Sequence, residues 1–334
     1  MQTKITNSTV LVTGGAGFIG SNLCEVLLQQ NNKVLCFDNL STGKYENVKP
    51  FLANRDFVFV EGDIRNLASC KQVFEHEIDY VLHQAALGSV NRSIKDPLTT
   101  HEVNTTGFLN VLTAAKDAKV KRFVYAASSS TYGDHKALPK YEDQIGKPLS
   151  PYAVTKYVNE LYANVFADLY GISCIGLRYF NVFGQRQQPD GEYAAVIPKF
   201  VSALIQKQSP IIHGDGEQTR DFTYIANVLQ ANQLAALTTN KDVVNTVYNI
   251  AYGESNSLNQ LYIKIQNLLK KYDNNITTIQ ATYTTPRIGD IRNSLASIEK
   301  AEMMLGYQPT HNLEQGLADS IQWYWNFEHN RMPK

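Results

Sequence analysis

Tyr152 and Lys156 stand four residues apart in SPYAVTKYVNE (150–160), so on a helix the two side chains share a face. A helix is expected there: Ser150 is a natural cap, Pro151 suits a first turn, and no breaker intervenes before Gly171. Taken alone, such a pair is usually a solvated surface contact. The chemical alternative is an activated phenol, whose neighbouring cation stabilises phenolate and draws its pKa from about 10 toward neutrality. A second cluster points the same way. The segment RFVYAASSSTYG (122–133) ends in three serines, Ser128, Ser129 and Ser130, and ligands of open α/β sheets bind beyond the carboxyl ends of strands. A loop between Ser128 and Tyr152 is long enough to bring strand end and helix start together.

The stretch TGGAGFIGSNL (13–23) follows an apolar strand and opens a helix. Gly14, Gly17 and Gly20 give a Gly-x-x-Gly-x-x-Gly spacing, a variant of the dinucleotide-binding turn. Gly14 and Gly15 permit the turn, Gly17 admits a pyrophosphate to the backbone, and Gly20 lets helix and sheet close, while the helix N-terminus favours the anion. Tight turns need glycine as well; the position between strand and helix is what favours the functional reading. Asp38 ends the second strand, where a carboxylate accepts hydrogen bonds from an adenosine ribose and repels a 2′-phosphate. NAD is therefore expected rather than NADP. Asp63 ends the third strand, placed for either the adenine edge or a turn cap, and Ala85 and Ala86 after the fourth let that loop pass close to a cofactor.

The elements that must position these groups follow from the apolar pattern. TVLVT (9–13), KVLCFD (33–38), DFVFVEGD (56–63), DYVLHQAA (79–86), RFVYAASS (122–129) and ISCIGLRY (172–179) read as buried strands. Helical stretches such as 18–29 and 97–118 lie between them. Continuous rather than alternating apolar strands, separated by helices, imply a parallel sheet covered on both faces, doubly wound in the Rossmann manner. Beyond residue 180 the regularity breaks: NVFGQRQQPDGEYAA (181–195) reads as a loop over a site. Helices follow at 196–207, 225–238 and 257–271, short strands at 210–213 and 246–250, and WYWNF (323–327) reads as helical packing. The expectation is a dinucleotide-binding domain over 1–180, to which later segments return, and a smaller substrate-binding domain over 181–334.

The whole chain narrows the class of function. Its 334 residues suffice for about two domains, and 43 % are hydrophobic and 19 % charged. Lys+Arg and Asp+Glu are both 31, which argues against a dedicated nucleic-acid binder or a membrane-surface protein. There is no signal-like N-terminal run and no uninterrupted apolar segment of membrane-spanning length. Cys24, Cys36, Cys70 and Cys174 are scattered, with no CxxC pair, so reduced buried thiols and no metal site are expected in a cytoplasmic protein.

With these groups in view, the chain resembles the extended short-chain dehydrogenase/reductases, more narrowly the UDP-hexose 4-epimerases, and most closely the bacterial UDP-N-acetylglucosamine 4-epimerases. The resemblance covers nearly the whole chain. It rests on TGGAGFIG, DNLSTG (38–43), HQAA (83–86), SSSTYG (128–133), SPYAVTK (150–156), RYFNVFG (178–184), GDGEQTRDFTYI (214–225) and PRIGD (286–290). The first and fifth motifs belong to the wider superfamily, and the last two are more specific to nucleotide-sugar enzymes.

The resemblance implies roles. Tyr152, as phenolate, would take the proton of the sugar 4-hydroxyl while NAD accepts the C4 hydride. Lys156 would bind the nicotinamide ribose and hold the Tyr152 pKa low. Ser128 would bond the reacting oxygen, with Ser129 or Ser130 on the sugar. The keto sugar turns over and the hydride returns to its other face. Phe18, Ile19, Asn39, Ser41, Thr42, Gly43, Ile64, Gln84 and Tyr179 would surround the cofactor. Ser89, Asn181, Arg220, Arg287 and Asp290 would hold the UDP-sugar, the two arginines neutralising its diphosphate. Ser294, four after the aspartate of the Arg-x-Gly-Asp motif, would border the C2 substituent, where enzymes restricted to non-acetylated sugars tend to carry Tyr. A homodimer through helices that include the Tyr-Lys helix is also implied.

Three rivals are weighed. A 4,6-dehydratase of this scaffold carries an Asp-Glu pair where Ser129 and Ser130 stand, so elimination is disfavoured. A uronate decarboxylase needs no surplus base and is harder to set aside. A non-catalytic NAD-binding regulator would be expected to lack the tyrosine, the lysine or the serine, and all three are present.

Overall fold

The computed structural model describes residues 3–189, 194–286 and 291–331. Its centre is a seven-stranded sheet built from β1 (Thr9–Thr13), β2 (Lys33–Asp38), β3 (Phe57–Glu61), β4 (Tyr80–His83), β5 (Arg122–Ser128), β6 (Cys174–Tyr179) and β7 (Thr246–Ile250). The order is β7-β6-β5-β4-β1-β2-β3, with every pair parallel. The chain thus runs outward through β2 and β3, then returns to β4 and runs the other way. That reversal opens a crevice beyond the carboxyl ends of β1 and β4.

The unbroken apolar strands now have their explanation. Val10, Val12, Val34 and Cys36 face one layer with Leu23 and Leu27 of α1 (Phe18–Gln29). Their neighbours Leu11, Leu35 and Phe37 face the other, with Cys70 and Val73 of α2 (Leu67–Val73) and Val111 and Leu112 of α3 (Phe108–Asp117). Side chains alternate across a strand, so apolar residues at every position mean both faces are covered.

Six strands match the expected segments, β1 and β2 with the same bounds and the other four shortened at their ends. The segment 246–250, expected only as a short strand, is the seventh member of the main sheet, so the chain beyond residue 180 does return to it. The short strand at Ile211–His213 pairs instead with Thr282–Thr284. The expected helix over 97–118 forms with a defect: Glu102–Gly107 is wound as a π-helix between Pro97–His101 and α3. Helix α4 (Pro151–Tyr170) begins and ends as its sequence requires. Ser150 Oγ accepts from Ala153 N at 3.1 Å, Pro151 fills the first turn, and Gly171 closes it in the left-handed region at φ 71°.

The second half packs on the sheet through α5 (Ile225–Leu237), which lies against β5, β6 and β7, and α6 (Leu313–Arg331) adds Leu313, Leu317, Ile321 and Tyr324 to the same apolar cluster. WYWNF lies within α6, where Tyr324 is buried and donates to Gly184 O at 2.8 Å. All four cysteines are buried and unbridged. Among the described residues, no helix is long and apolar enough to cross a membrane, and no three His, Cys, Asp or Glu side chains gather to hold a metal.

Candidate active site

The first wall of the crevice is the turn after β1. Gly14 takes φ +67° and donates to Phe37 O at 2.8 Å, and a Cβ there would lie 2.7 Å from Ala85 N. Glycine is therefore required twice over at this position, by backbone and by space. No side chain caps α1 at Gly17, so the amides of its first turn face the crevice without a side-chain acceptor. Asp38 is 8 % exposed and accepts from Ala16 N at 3.0 Å and Leu40 N at 2.8 Å. Burial raises its pKa against those two bonds.

Asp63 realises its turn-capping alternative while still lining the crevice. It accepts from Arg65 N at 2.9 Å and Asn39 Nδ2 at 3.0 Å, and Arg65 Nη2 lies 2.6 Å from Oδ2. The arginine holds its carboxyl down at about 2.

The second wall carries the reactive groups. Ser128, at the end of β5, hydrogen-bonds the Tyr152 phenol, and Ser130 Oγ donates to Ser128 Oγ at 2.9 Å. Of the three serines, Ser128 is therefore the one on the phenol and Ser130 is bonded to Ser128, while all three line the cavity. Lys156 is buried, donates to Ala126 O at 2.8 Å, and is brought down to about 8 by burial, with Glu160 opposing. The expected depression of the Tyr152 pKa is not what this geometry produces. Burial raises the phenol, only Ser128 opposes it, and the ammonium points its bond at a backbone carbonyl.

Gln84 and Tyr179 meet in a closed ring of hydrogen bonds with Asn232 of α5. Gln84 Nε2 donates to Asn232 Oδ1 at 3.1 Å, Asn232 Nδ2 to the Tyr179 hydroxyl at 2.8 Å, and that hydroxyl to Gln84 Oε1 at 3.2 Å. The ring fixes two side chains of the crevice, and burial pushes the Tyr179 phenol up to about 12.

The third wall comes from the second half. Asn181, at φ +35°, donates to Asp221 O at 3.0 Å, and Arg220 donates to Thr219 O at 2.8 Å. Ser294 lies in an extended segment, its N–H bonded to Thr219 O at 3.1 Å. Ser89 lines the crevice but spends its hydroxyl oxygen capping Val90–Lys95, accepting from Arg92 N at 3.2 Å. Arg287 and Asp290 lie outside the described residues.

The walls enclose one elongated cavity of about 830 Å³. It collects Gly14, Gly17, Phe18, Ile19 and Gly20 from the turn, Asp38, Asn39, Ser41, Thr42, Asp63 and Ile64 from the next two strand ends, and Gln84, Ala85 and Ala86 beyond β4. Ser128, Tyr152, Lys156, Tyr179, Asn181, Arg220 and Ser294 complete it. Gly43 is not in the lining; it packs against Ala16 and Asp38 behind the turn.

Sequence reasoning missed several groups. Asn232 is a polar residue buried in the apolar helix α5, the signal that could have found it. Asp221 is fully buried and accepts from Tyr252 N, Gly253 N and Ala296 N, each at 3.2 Å, thereby tying three loops of the third wall. Asn104, in the π-helix, clamps Leu87 through both N–H and C=O and donates to Thr155 Oγ1 of α4 at 3.2 Å. Gln187 lines the cavity with a buried carbonyl oxygen that has no partner among the described residues.

Comparison with known proteins adds the following. The sequence model of the NAD dependent epimerase/dehydratase family matches residues 10–251. A putative UDP-glucose 4-epimerase of Methanocaldococcus jannaschii is 37 % identical over 318 residues, 95 % of this chain and 98 % of that protein. The solved UDP-N-acetylglucosamine 4-epimerase of Methanobrevibacter ruminantium, in complex with UDP-N-acetylmuramic acid, superposes with TM-score 0.88 at 37 % identity, covering 97 % of this chain and 100 % of that one. The UDP-glucuronic acid 4-epimerase of Bacillus cereus, in complex with UDP-glucuronic acid and NAD, gives TM-score 0.86 at 31 % identity over 96 % and 99 %.

Proposed function

Since the chain belongs to the NAD dependent epimerase/dehydratase family and is a UDP-sugar 4-epimerase, we propose that it interconverts UDP-N-acetylglucosamine and UDP-N-acetylgalactosamine. The crevice fits NAD. The bare glycine turn leaves the α1 amides open to a pyrophosphate, and Asp38 offers a carboxylate where an adenosine ribose would lie. Lys156 would hold the second ribose, and Gln84 and Tyr179, held by Asn232, would line the nicotinamide end.

NAD, when bound, accepts the C4 hydride and returns it to the opposite face. The protein's own groups manage the proton and the sugar. Tyr152 Oη takes the proton of the 4-hydroxyl, and the Ser128 hydroxyl donates to the oxygen that develops charge. Ser130 fixes the orientation of Ser128 through its 2.9 Å bond. Because burial raises the Tyr152 pKa, proton removal needs a positive charge close to the phenol, which NAD, when bound, would supply in its oxidised form. The keto sugar then turns between Ser129, Ser294 and Asn181, while Arg220, with Arg287, would hold the diphosphate. A second, smaller cleft of about 470 Å³ shares Ile291 with the main one and includes His213, Gln218 and Pro286, leaving room for the nucleoside end. The part beyond residue 181 then serves mainly as the sugar-nucleotide domain.

The observation that carries the choice of sugar is Ser294. It is half-buried in the cavity wall where a large side chain would fill the space beside C2. Purified protein incubated with UDP-N-acetylglucosamine and no added cofactor should yield UDP-N-acetylgalactosamine. Turnover of UDP-glucose or UDP-glucuronate alone would favour the activities named for the relatives instead. A homodimer fits the exposed stripe of Val154, Leu161, Val165 and Leu169 along α4, flanked by Ile94 and Leu98. Sedimentation at the monomer mass would refute it.

A further inference from the structure

Lys140 is a charged group in the cavity wall that the mechanism leaves without a task. It is 5 % exposed, and its ammonium donates to the His135 carbonyl oxygen. Among the described residues no carboxylate pairs with it, and burial is the sole cause lowering its pKa. An ammonium has three N–H donors, and burying it with a single neutral acceptor costs free energy unless another partner arrives.

The backbone decides which way this side chain faces. Lys140 N donates to Leu295 O at 2.8 Å and Lys140 O accepts from Ser297 N at 2.9 Å, a parallel bridge between Lys140 and Ala296. Side chains of bridge partners share a face, and so do residues two apart on an extended segment. Lys140, Ala296 and Ser294 therefore lie on one face, and Lys140 and Ser294 both line the cavity.

We propose that Lys140 is a specificity-determining residue whose ammonium donates to the carbonyl oxygen of an acyl group on C2 of the sugar. The inference rests on the acetamido-sugar reading above and adds to it: Ser294 leaves the room, and Lys140 supplies the donor. A 2-hydroxyl sugar brings no such carbonyl, so the ammonium keeps His135 alone. A site built to bond a substrate group discriminates against the analogue lacking it, because its own polar group is then left unpaired.

The test compares kcat/KM for UDP-N-acetylglucosamine and UDP-glucose in wild type, Lys140→Met and Lys140→Gln. Met keeps the bulk without a donor, and Gln keeps a donor for His135. The ratio of the two kcat/KM values should fall about 10–150-fold in Lys140→Met, mainly through KM, the range of a hydrogen bond to a charged group. Lys140→Gln should fall between. Equal losses on both sugars would mark Lys140 as only structural and overturn the proposal, as would an unchanged ratio. A wild-type enzyme active on UDP-glucose and inert toward UDP-N-acetylglucosamine would overturn the acetamido reading itself, a separate outcome read before any variant is made. UDP-N-thioacetylglucosamine weakens the same acceptor with no mutation, so it decides the matter if the variants do not fold; a wild-type KM unchanged with this analogue refutes the contact.

Discussion

Replacing Asp221 by Asn probes how the third wall is held. The carboxylate is fully buried and takes N–H bonds from Tyr252, Gly253 and Ala296, and its pKa is pushed up to about 7 by burial, against those bonds. Tyr307, which feels the charge of Asp221, has its own pKa raised far above this range by burial and stays neutral. The sign follows from proton binding. A carboxyl whose pKa rises from about 4 unfolded to about 7 folded binds more protons in the folded state between those values, so its contribution to stability is largest in acid and is lost as pH rises through about 7. Integrated from pH 5 to pH 8, the loss is about 2–3 kcal/mol, whereas Asn does not titrate. Urea unfolding of wild type and Asp221→Asn at both pH values isolates this one group, since all others cancel in the difference. The variant's deficit should shrink, or reverse, by about 2–3 kcal/mol on going to pH 8. A deficit that instead stays constant between the two pH values would mean that the backbone amides outweigh burial and hold the carboxyl at or below its unfolded value, ionised at both. Because Asp221 touches no reacting atom but ties the segment leading from Ser294, the variant's activity should suffer in KM for the UDP-sugar more than in kcat.

Three further expectations concern the chemistry. Tyr152→Phe should fold and retain NAD but lose roughly 10²–10⁴ in turnover, the usual worth of a positioned acid/base; near-normal epimerisation would remove Tyr152 from the mechanism. Protein purified without added nucleotide should release NAD on denaturation, and release of NADP would show that Asp38 does not exclude a 2′-phosphate. Ser294→Tyr should abolish turnover of acetylated sugars while sparing UDP-galactose, since overfilling a packed site costs about 1–3 kcal/mol; a parent rate on UDP-N-acetylglucosamine would show that Ser294 does not gate the pocket.

What was legible in the sequence was local. The glycine turn, Asp38, the serine-ended strand and the capped Tyr-Lys helix each declare themselves within about a dozen residues, because backbone strain, capping and strand burial are short-range demands. What stayed hidden was made by partners far apart in the chain. Asn232 reaches Gln84 across 148 positions, and Asp221 reaches Ala296 across 75. No periodicity or spacing encodes such pairs. The seventh strand was visible as a strand at 246–250, yet its place beside β6 was not, since pairing is decided by which edge remains open. The partner of Lys156 was hidden for the same reason: spacing aligned the phenol with Lys156, but the Ala126 carbonyl that takes the ammonium's bond comes from another element.

One buried charge pair shows how far the chemistry depends on these long-range contacts. Glu160 lies two turns beyond Tyr152 on α4, and Arg178 precedes Tyr179 on β6. Their side chains meet in a two-bond pair at 2.9 and 2.7 Å, almost wholly buried. Such a pair adds little net stability over apolar packing, but breaking it by removing one partner costs about 3–5 kcal/mol. Its effect is therefore on register rather than on strength: it locks the helix bearing the phenol to the strand bearing Tyr179. Arg178 also lies over the Tyr132 ring at 4.9 Å and donates to Glu142 O at 2.9 Å. Tyr132 stands two residues after the last of the three serines, and its hydroxyl donates to Asn249 Oδ1 at 2.6 Å on β7. The Asn249 amide in turn donates to Lys140 O and Ser297 O at 2.9 and 3.0 Å. Glu160, Arg178, Tyr132, Asn249 and the Lys140–Ser297 bridge thus share one buried polar network. The chain carries that network to the serines through Tyr132, to the phenol through Glu160 and to Tyr179 through Arg178, so the elements that would handle the proton and the segment that would choose the sugar are held by one set of contacts.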